Sequence, residues 1–124
     1  MKILVVDDEQ DIQPLFKQRF RKEIRNGEME FVFAYSGEEA LDCLKKYHSE
    51  AVLILSDINM PGMSGLELLK NIKQKYNQPP PVVMMITAYG DDDNYKKAME
   101  LGADDFITKP VDFNSLKETI KKIH

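Results

Sequence analysis

Ala51-Val52-Leu53-Ile54-Leu55-Ser56-Asp57 opens with five apolar residues in a row and ends in acid. A strand with one face in water alternates apolar and polar residues. An unbroken apolar run instead suits a strand covered on both faces, as in a parallel sheet. Ile3 to Val6, Phe31 to Ala34 and Val82 to Ile86 read the same way, and Asp105-Phe106-Ile107-Thr108 is a shorter fifth candidate. Between the runs, apolar residues recur at helical spacing: Ile12, Leu15, Phe16 and Phe20; Ala40, Leu41 and Leu44; Leu66, Leu69 and Ile72; Tyr95, Ala98 and Met99; Leu116, Ile120 and Ile123. Strand and helix thus alternate five times, which predicts an α/β fold with right-handed crossovers and five helices.

Punctuation agrees with this layout. Pro61-Gly62-Met63-Ser64-Gly65 follows the third run, with Ser64 placed to cap the next helix. Gly102 marks a helix C-terminus, and Pro79-Pro80-Pro81 ends the helical pattern before the fourth run. The first helix is expected to be long and to close at Asn26-Gly27-Glu28. Lys17, Arg21 and Arg25 form a stripe along it, beside Arg19 and Lys22, and read as a solvated face.

With 124 residues the chain fits one domain, residues 1–124, and 43% hydrophobic residues suffice for a core. The single cysteine, Cys43, rules out an internal disulfide and a thiolate metal cluster, and suits a cytoplasmic protein. The N-terminus lacks a signal-peptide pattern, and no apolar run approaches the ~20 residues of a membrane helix. A net charge of −4 argues against direct nucleic-acid binding. Cys43 reads as a packed thiol, His48 as a surface residue, and Met60, Met84, Met85 and Met99 as adaptable packing.

The chemistry lies in the acids that end the runs. Asp7 and Asp8 follow the first run, and Asp57 follows the third. Open parallel sheets bind ligands outside the carboxyl ends of their strands, where strand order reverses. If the first and third strands are neighbours, three carboxylates converge there. Like charges that close raise one another's pKa unless a cation intervenes. A donor set made only of oxygens selects a hard cation, which points to Mg2+. Thr87 ends the fourth run before Ala88, and Lys109 follows the fifth before Pro110. A hydroxyl, an ammonium and a divalent cation are suited to holding phosphoryl oxygens, and a carboxylate can attack phosphorus. Singly, each acid reads better as a turn or cap, Thr87 as a strand former and Lys109 as a surface lysine. The inference rests on their sharing one edge of one sheet.

Four segments carry a resemblance: Ile3-Leu4-Val5-Val6-Asp7-Asp8-Glu9, Ser56-Asp57-Ile58-Asn59-Met60-Pro61-Gly62-Met63-Ser64-Gly65, Met85-Ile86-Thr87-Ala88 and Gly102-Ala103-Asp104-Asp105-Phe106-Ile107-Thr108-Lys109-Pro110. In this order they resemble the response-regulator receiver domains of two-component signalling, of the CheY-like kind. The resemblance implies a doubly wound, flavodoxin-like sheet with strand order 2-1-3-4-5. It implies that Asp57 accepts a phosphoryl group from a phosphohistidine of a sensor histidine kinase or phosphotransfer protein. Asp8 and Asp57 would hold Mg2+ directly, Asp7 through a water, and Asn59 through its backbone carbonyl. Thr87 and Lys109 would hold phosphoryl oxygens, and Phe106 would be the switch aromatic that turns inward as Thr87 moves. The Lys109-Pro110 bond is expected to be cis. The output face, for an effector, an attached output module or a second copy on phosphorylation, would be the fourth helix, fifth strand and fifth helix, with Lys96, Lys97, Phe106 and Lys117 as candidate contacts.

Two rival functions have residues to weigh. A small phosphatase using an aspartyl phosphate needs an Asp-x-Asp nucleophile and acid after the first strand, whereas Asp7 and Asp8 are adjacent; Asp57 and Asn59 have the spacing without the second acid. A flavin-mononucleotide binder of the same topology needs a Ser/Thr/Gly-rich phosphate loop, where this chain has Asp7-Asp8-Glu9-Gln10-Asp11. The segment Gly90-Asp91-Asp92-Asp93-Asn94 reads as an acidic, helix-capping loop. Asn59 and Tyr89 flank the place where water must attack an aspartyl phosphate. Changing both is expected to alter the autodephosphorylation rate with little loss of folding stability; an unchanged decay rate in a phosphate-release assay argues against it.

Overall fold

The structure is a computed structural model that describes residues 1–47, 51–76, 80–87 and 92–123, with Ala51, Val52 and Ile123 described by backbone alone. His48, Pro79, Ala88, Tyr89, Gly90 and Asp91 lie outside the described residues. The elements in chain order are β1 (Lys2–Val6), α1 (Ile12–Arg19), α2 (Arg21–Arg25), β2 (Glu30–Ala34), α3 (Gly37–Tyr47), β3 (Ala51–Asp57), α4 (Gly65–Lys75), β4 (Val82–Thr87), α5 (Asp92–Glu100), β5 (Asp105–Thr108) and α6 (Phe113–Ile123). All four strand pairings are parallel, and the order is β2-β1-β3-β4-β5.

The apolar runs are continuous because both faces are covered. Ile3, Val5, Leu53, Leu55, Met84 and Ile86 point to one side, against Phe16 and Phe20 from the first helical region and Leu116 and Ile120 of α6. Leu4, Val6, Ile54, Val83 and Met85 point to the other, against Ala40 and Leu44 of α3, Leu68, Leu69 and Ile72 of α4, and Ala98 of α5. Each fully buried large aliphatic or aromatic side chain contributes roughly 1.5–3 kcal/mol of transfer free energy. The expected helical stripes are thus core for the most part. Leu15, Tyr95 and Met99 are the exceptions and stay exposed.

Among the described residues six helices stand where five were expected, because the first is broken at Phe20. The backbone of Phe20 leaves the helical region (φ −107°, ψ 20°). Its ring is completely buried, stacked on Phe16 and tilted against Phe31, with Phe113 edge-on. Apolar spacing alone cannot register such a break, since α2 resumes at once and Ile24 N–H donates to Phe20 O at 2.9 Å. Ser64 caps α4, its hydroxyl accepting from Glu67 N–H at 3.2 Å. Gly102 ends α5 with φ +98°, a conformation that disfavours a side chain.

The N-terminal ends of β4 and β5 are tied by one carboxylate. Asp104 Oδ2 accepts from Val83 N–H and from Lys73 Nζ, each at 2.8 Å, while Asp104 N–H donates to Val83 O at 2.8 Å. Lys73 Nζ also donates to Pro81 O at 2.9 Å. Asp104→Ala strands a backbone N–H and a half-buried ammonium, so a loss of roughly 1–3 kcal/mol is expected in urea titration. A midpoint equal to that of the wild type contradicts this role.

Candidate functional site

The sheet order makes β1 and β3 neighbours, with Val6 beside Ser56. Asp7 and Asp8 leave the end of β1 where Asp57 completes β3. One carboxylate oxygen from each of Asp7, Asp8 and Asp57 can be chosen so that all three lie within 4.8 Å of one another. Asp7 and Asp57 are buried and Asp8 is exposed. Lys109, after β5, reaches across β4 to place Nζ 3.1 Å from Asp57 Oδ2.

The backbone frames these groups. Asp7 Oδ1 accepts from Glu9 N–H at 2.9 Å, turning the chain back over the site. Asn59 is exposed, and its N–H lies 3.4 Å from Asp57 Oδ1, a long contact that keeps it beside the carboxylate. Thr87 is 1% exposed, and its hydroxyl has no hydrogen-bond partner among the described residues. Its carbonyl accepts from Lys109 N–H at 2.7 Å, so Thr87 and Lys109 are held together. The Lys109-Pro110 bond is cis. Phe106 is half-buried beside β4 and meets the Tyr95 ring edge-on, with centroids 5.0 Å apart. Ala88 and Tyr89 lie outside the described residues.

Burial is the largest influence on Asp7 and raises its pKa. The charges of Asp57 and Glu9 add to the rise, and the Glu9 N–H and Lys109 oppose it. Burial by itself would lower the pKa of Lys109. The hydrogen bond and charge of Asp57, with Asp7 and Glu9, outweigh that, so the ammonium is held above its ordinary value. One ammonium against three carboxylates leaves a surplus of negative charge in a poorly solvated place. A hard divalent cation fits that surplus and its all-oxygen donors. The unpartnered Thr87 hydroxyl fits a ligand with acceptor oxygens, because an unsatisfied buried hydroxyl costs on the order of 1–3 kcal/mol.

Residues 3–121 match the family described as response regulator receiver domain. The chain belongs to that family. Among solved structures it is similar to a response regulator receiver domain protein from Clostridium thermocellum, at 31% identity over 98% of this chain and 92% of that one, with a TM-score of 0.85. A CheY-like receiver domain protein from Methanospirillum hungatei is 33% identical over 98% and 90%, with a TM-score of 0.81. The chemotaxis protein CheY4 of Vibrio cholerae is 25% identical over 99% and 98%, with a TM-score of 0.83.

Two supports of this receiver domain's site went unread in its sequence. Gly65 was read only as part of a turn. A Cβ there would lie 2.1 Å from the Asp57 carbonyl oxygen, so α4 begins directly against the backbone that presents Asp57. Glu38, at the start of α3, accepts from Met63 N–H at 3.2 Å and thereby holds the loop that carries Asn59. An acid in a helix's first turn gives no hint of such a reach. Elsewhere, Cys43 is half-buried, and burial first, then Glu39 and Asp42, raise its pKa against Lys46, as suits an unreactive thiol. Met60, Met84 and Met85 are buried. Lys96 and Lys97 are exposed, while Lys117 turns toward Glu23 at 3.6 Å. Among the described residues no helix is long and apolar enough to cross a membrane.

A carboxylate whose pKa is raised by folding costs stability when ionised. For Asp7 that cost is present at neutral pH and fades as pH falls through the raised value toward the ordinary 3.8. Without divalent metal, Asp7→Asn is expected to raise the melting temperature by a few degrees at pH 7. The gain should shrink as pH approaches about 4, and Mg2+ should narrow it by stabilising the wild type more. Melting curves that put the variant at or below the wild type at pH 7 contradict this.

Proposed function

We propose that residues 1–124 form one receiver unit of two-component signalling and that Asp57 is its phosphoacceptor. One observation carries the reading: the buried Asp57 carboxylate shares a cluster with Asp7 and Asp8 and receives Lys109 Nζ at 3.1 Å. An Asp57 oxygen forms a bond to phosphorus while the bond from phosphorus to the imidazole nitrogen of a partner's phosphohistidine breaks. The bonding pair stays on that nitrogen. Lys109 pairs with one phosphoryl oxygen, and the Thr87 hydroxyl, otherwise unpartnered, donates to another. Asp8 and Asp57 directly, Asp7 through a water and Asn59 through its carbonyl would hold Mg2+, which when bound would supply positive charge against the charge developing on the phosphoryl oxygens.

Signalling follows from differential binding. Phosphorylation favours the arrangement in which Thr87 and Lys109 both meet the phosphoryl group, and Phe106 repacks as Thr87 is drawn in. Shifting a population from about 1:99 to 99:1 requires about 5.5 kcal/mol of such preference, the scale of a few charge-assisted hydrogen bonds. The readout face is α5, β5 and α6, the fourth helix, fifth strand and fifth helix of the family pattern. It meets an effector, an attached output module or a second phosphorylated copy. This is a cytoplasmic switch that catalyses only its own phosphoryl transfer and dephosphorylation.

Incubation with acetyl phosphate and Mg2+, followed by intact mass measurement, is expected to add one phosphoryl group to the wild type and none to Asp57→Asn. Omitting Mg2+ should abolish the adduct. Persistence of the adduct in Asp57→Asn sinks the assignment, and sustained turnover of a simple phosphate ester would establish the phosphatase instead.

A further inference from the structure

Away from the strand ends, a groove of about 570 Å³ runs between the first helical region and the outermost strand. Lys17, Arg21 and Arg25 rim it at intervals of four residues, and Ile24, Met29 and Phe31 contribute apolar surface. The three cations are exposed, and none makes an ion pair with another described residue. Two acids lie nearby: Glu23 is buried and turns to Lys117, and Glu30, which lines the strand side of the groove, is exposed and lies 3.9 Å from Lys2, leaving three cations against one exposed acid in the lining. Like charges one helical turn apart repel, so the stripe lacks internal compensation. It also runs against the net charge of −4.

The groove adjoins an open sheet edge. β2 pairs with β1 on one side, and among the described residues no strand pairs with its other side. An edge strand presents backbone N–H and C=O groups to any extended chain laid beside it. We propose that this groove docks an extended acidic segment of a partner protein, added as a sixth strand along the outer edge of β2. The segment's backbone would pair with Glu30–Ala34, and its alternate, acidic side chains would turn to the face covered by α1 and α2, where Lys17, Arg21 and Arg25 rim the groove beside Ile24 and Phe31. A second copy of this chain fits poorly, because joining two β2 edges sets stripe against stripe. None of the residues that line the groove belongs to the carboxylate site, and the inference is independent of the function proposed above.

The test uses the full chain and a synthetic octapeptide of alternating glutamate and valine, followed by amide NMR and fluorescence anisotropy. The peptide is expected to shift the Glu30–Ala34 amides, slow their exchange with solvent and bind more weakly as salt is raised. Lys17→Glu/Arg21→Glu/Arg25→Glu should weaken binding at least tenfold while leaving the circular dichroism spectrum and acetyl-phosphate adduct of the wild type unchanged. A peptide N-methylated at alternate residues, with its charge intact, should bind at least tenfold more weakly. Equal binding of the methylated peptide overturns strand addition, as does the absence of shifts along β2. Tighter binding of a single-stranded oligonucleotide of equal charge assigns the groove to nucleic acid instead. Self-association that the triple variant abolishes assigns it to a second copy.

Discussion

Three carboxylates, two of them buried, are brought together at the end of the sheet, and that repulsion is the constraint around which the site is arranged. The apolar faces of β1 and β3 drive the strands into adjacent central positions. Their ends then bring Asp7, Asp8 and Asp57 within 4.8 Å of one another. Burial of the sheet supplies the energy that holds like charges this close. Lys109 offsets part of the charge, and Asp57, with Asp7 and Glu9, outweighs the effect of burial on its ammonium. The site is therefore short of positive charge by construction, and what it binds must supply it.

Holding such a site in shape falls to backbone and small residues. Gly65 lets α4 start against Asp57 without a side chain between them. Ser64 caps the same helix, and Glu38 reaches from α3 to fix Met63, so the segment bearing Asn59 is gripped from two elements. On the other side, Lys109 N–H bonds to the Thr87 carbonyl while Lys109 Nζ reaches Asp57. One residue thus joins the end of β4 to the end of β3, although it follows β5 in the chain.

Much of this was legible in the chain. Continuous apolar runs such as Ile3 to Val6 announce strands covered on both faces, because only a doubly covered sheet hides every side chain. Acids at the ends of the first and third runs, with Thr87 and Lys109, located the site once strand order was supplied by family resemblance. Strand order itself is invisible locally, since nothing in Val6 or Ser56 says that they are neighbours. The break at Phe20 was missed because periodicity records which residues face inward, and Phe20 faces inward on either side of a kink. Lys117, a candidate output contact, holds its ammonium 3.6 Å from Glu23, a pairing between residues far apart in sequence that no local pattern announces. Local pattern carries burial well and long-range polar pairing poorly, because burial is repeated along an element and a single reach is not.

Asp104 has a mechanical consequence. Its carboxylate clamps Val83 and Lys73, and its own N–H meets Val83, at the end of the sheet opposite Thr87. Six residues of β4 span roughly 20 Å. With the near end of that span tied to α4 and β5, the proposed movement of Thr87 would be a rocking about that end and not a sliding of one strand along the other. The clamp would then make β4 a lever whose long arm ends at Thr87.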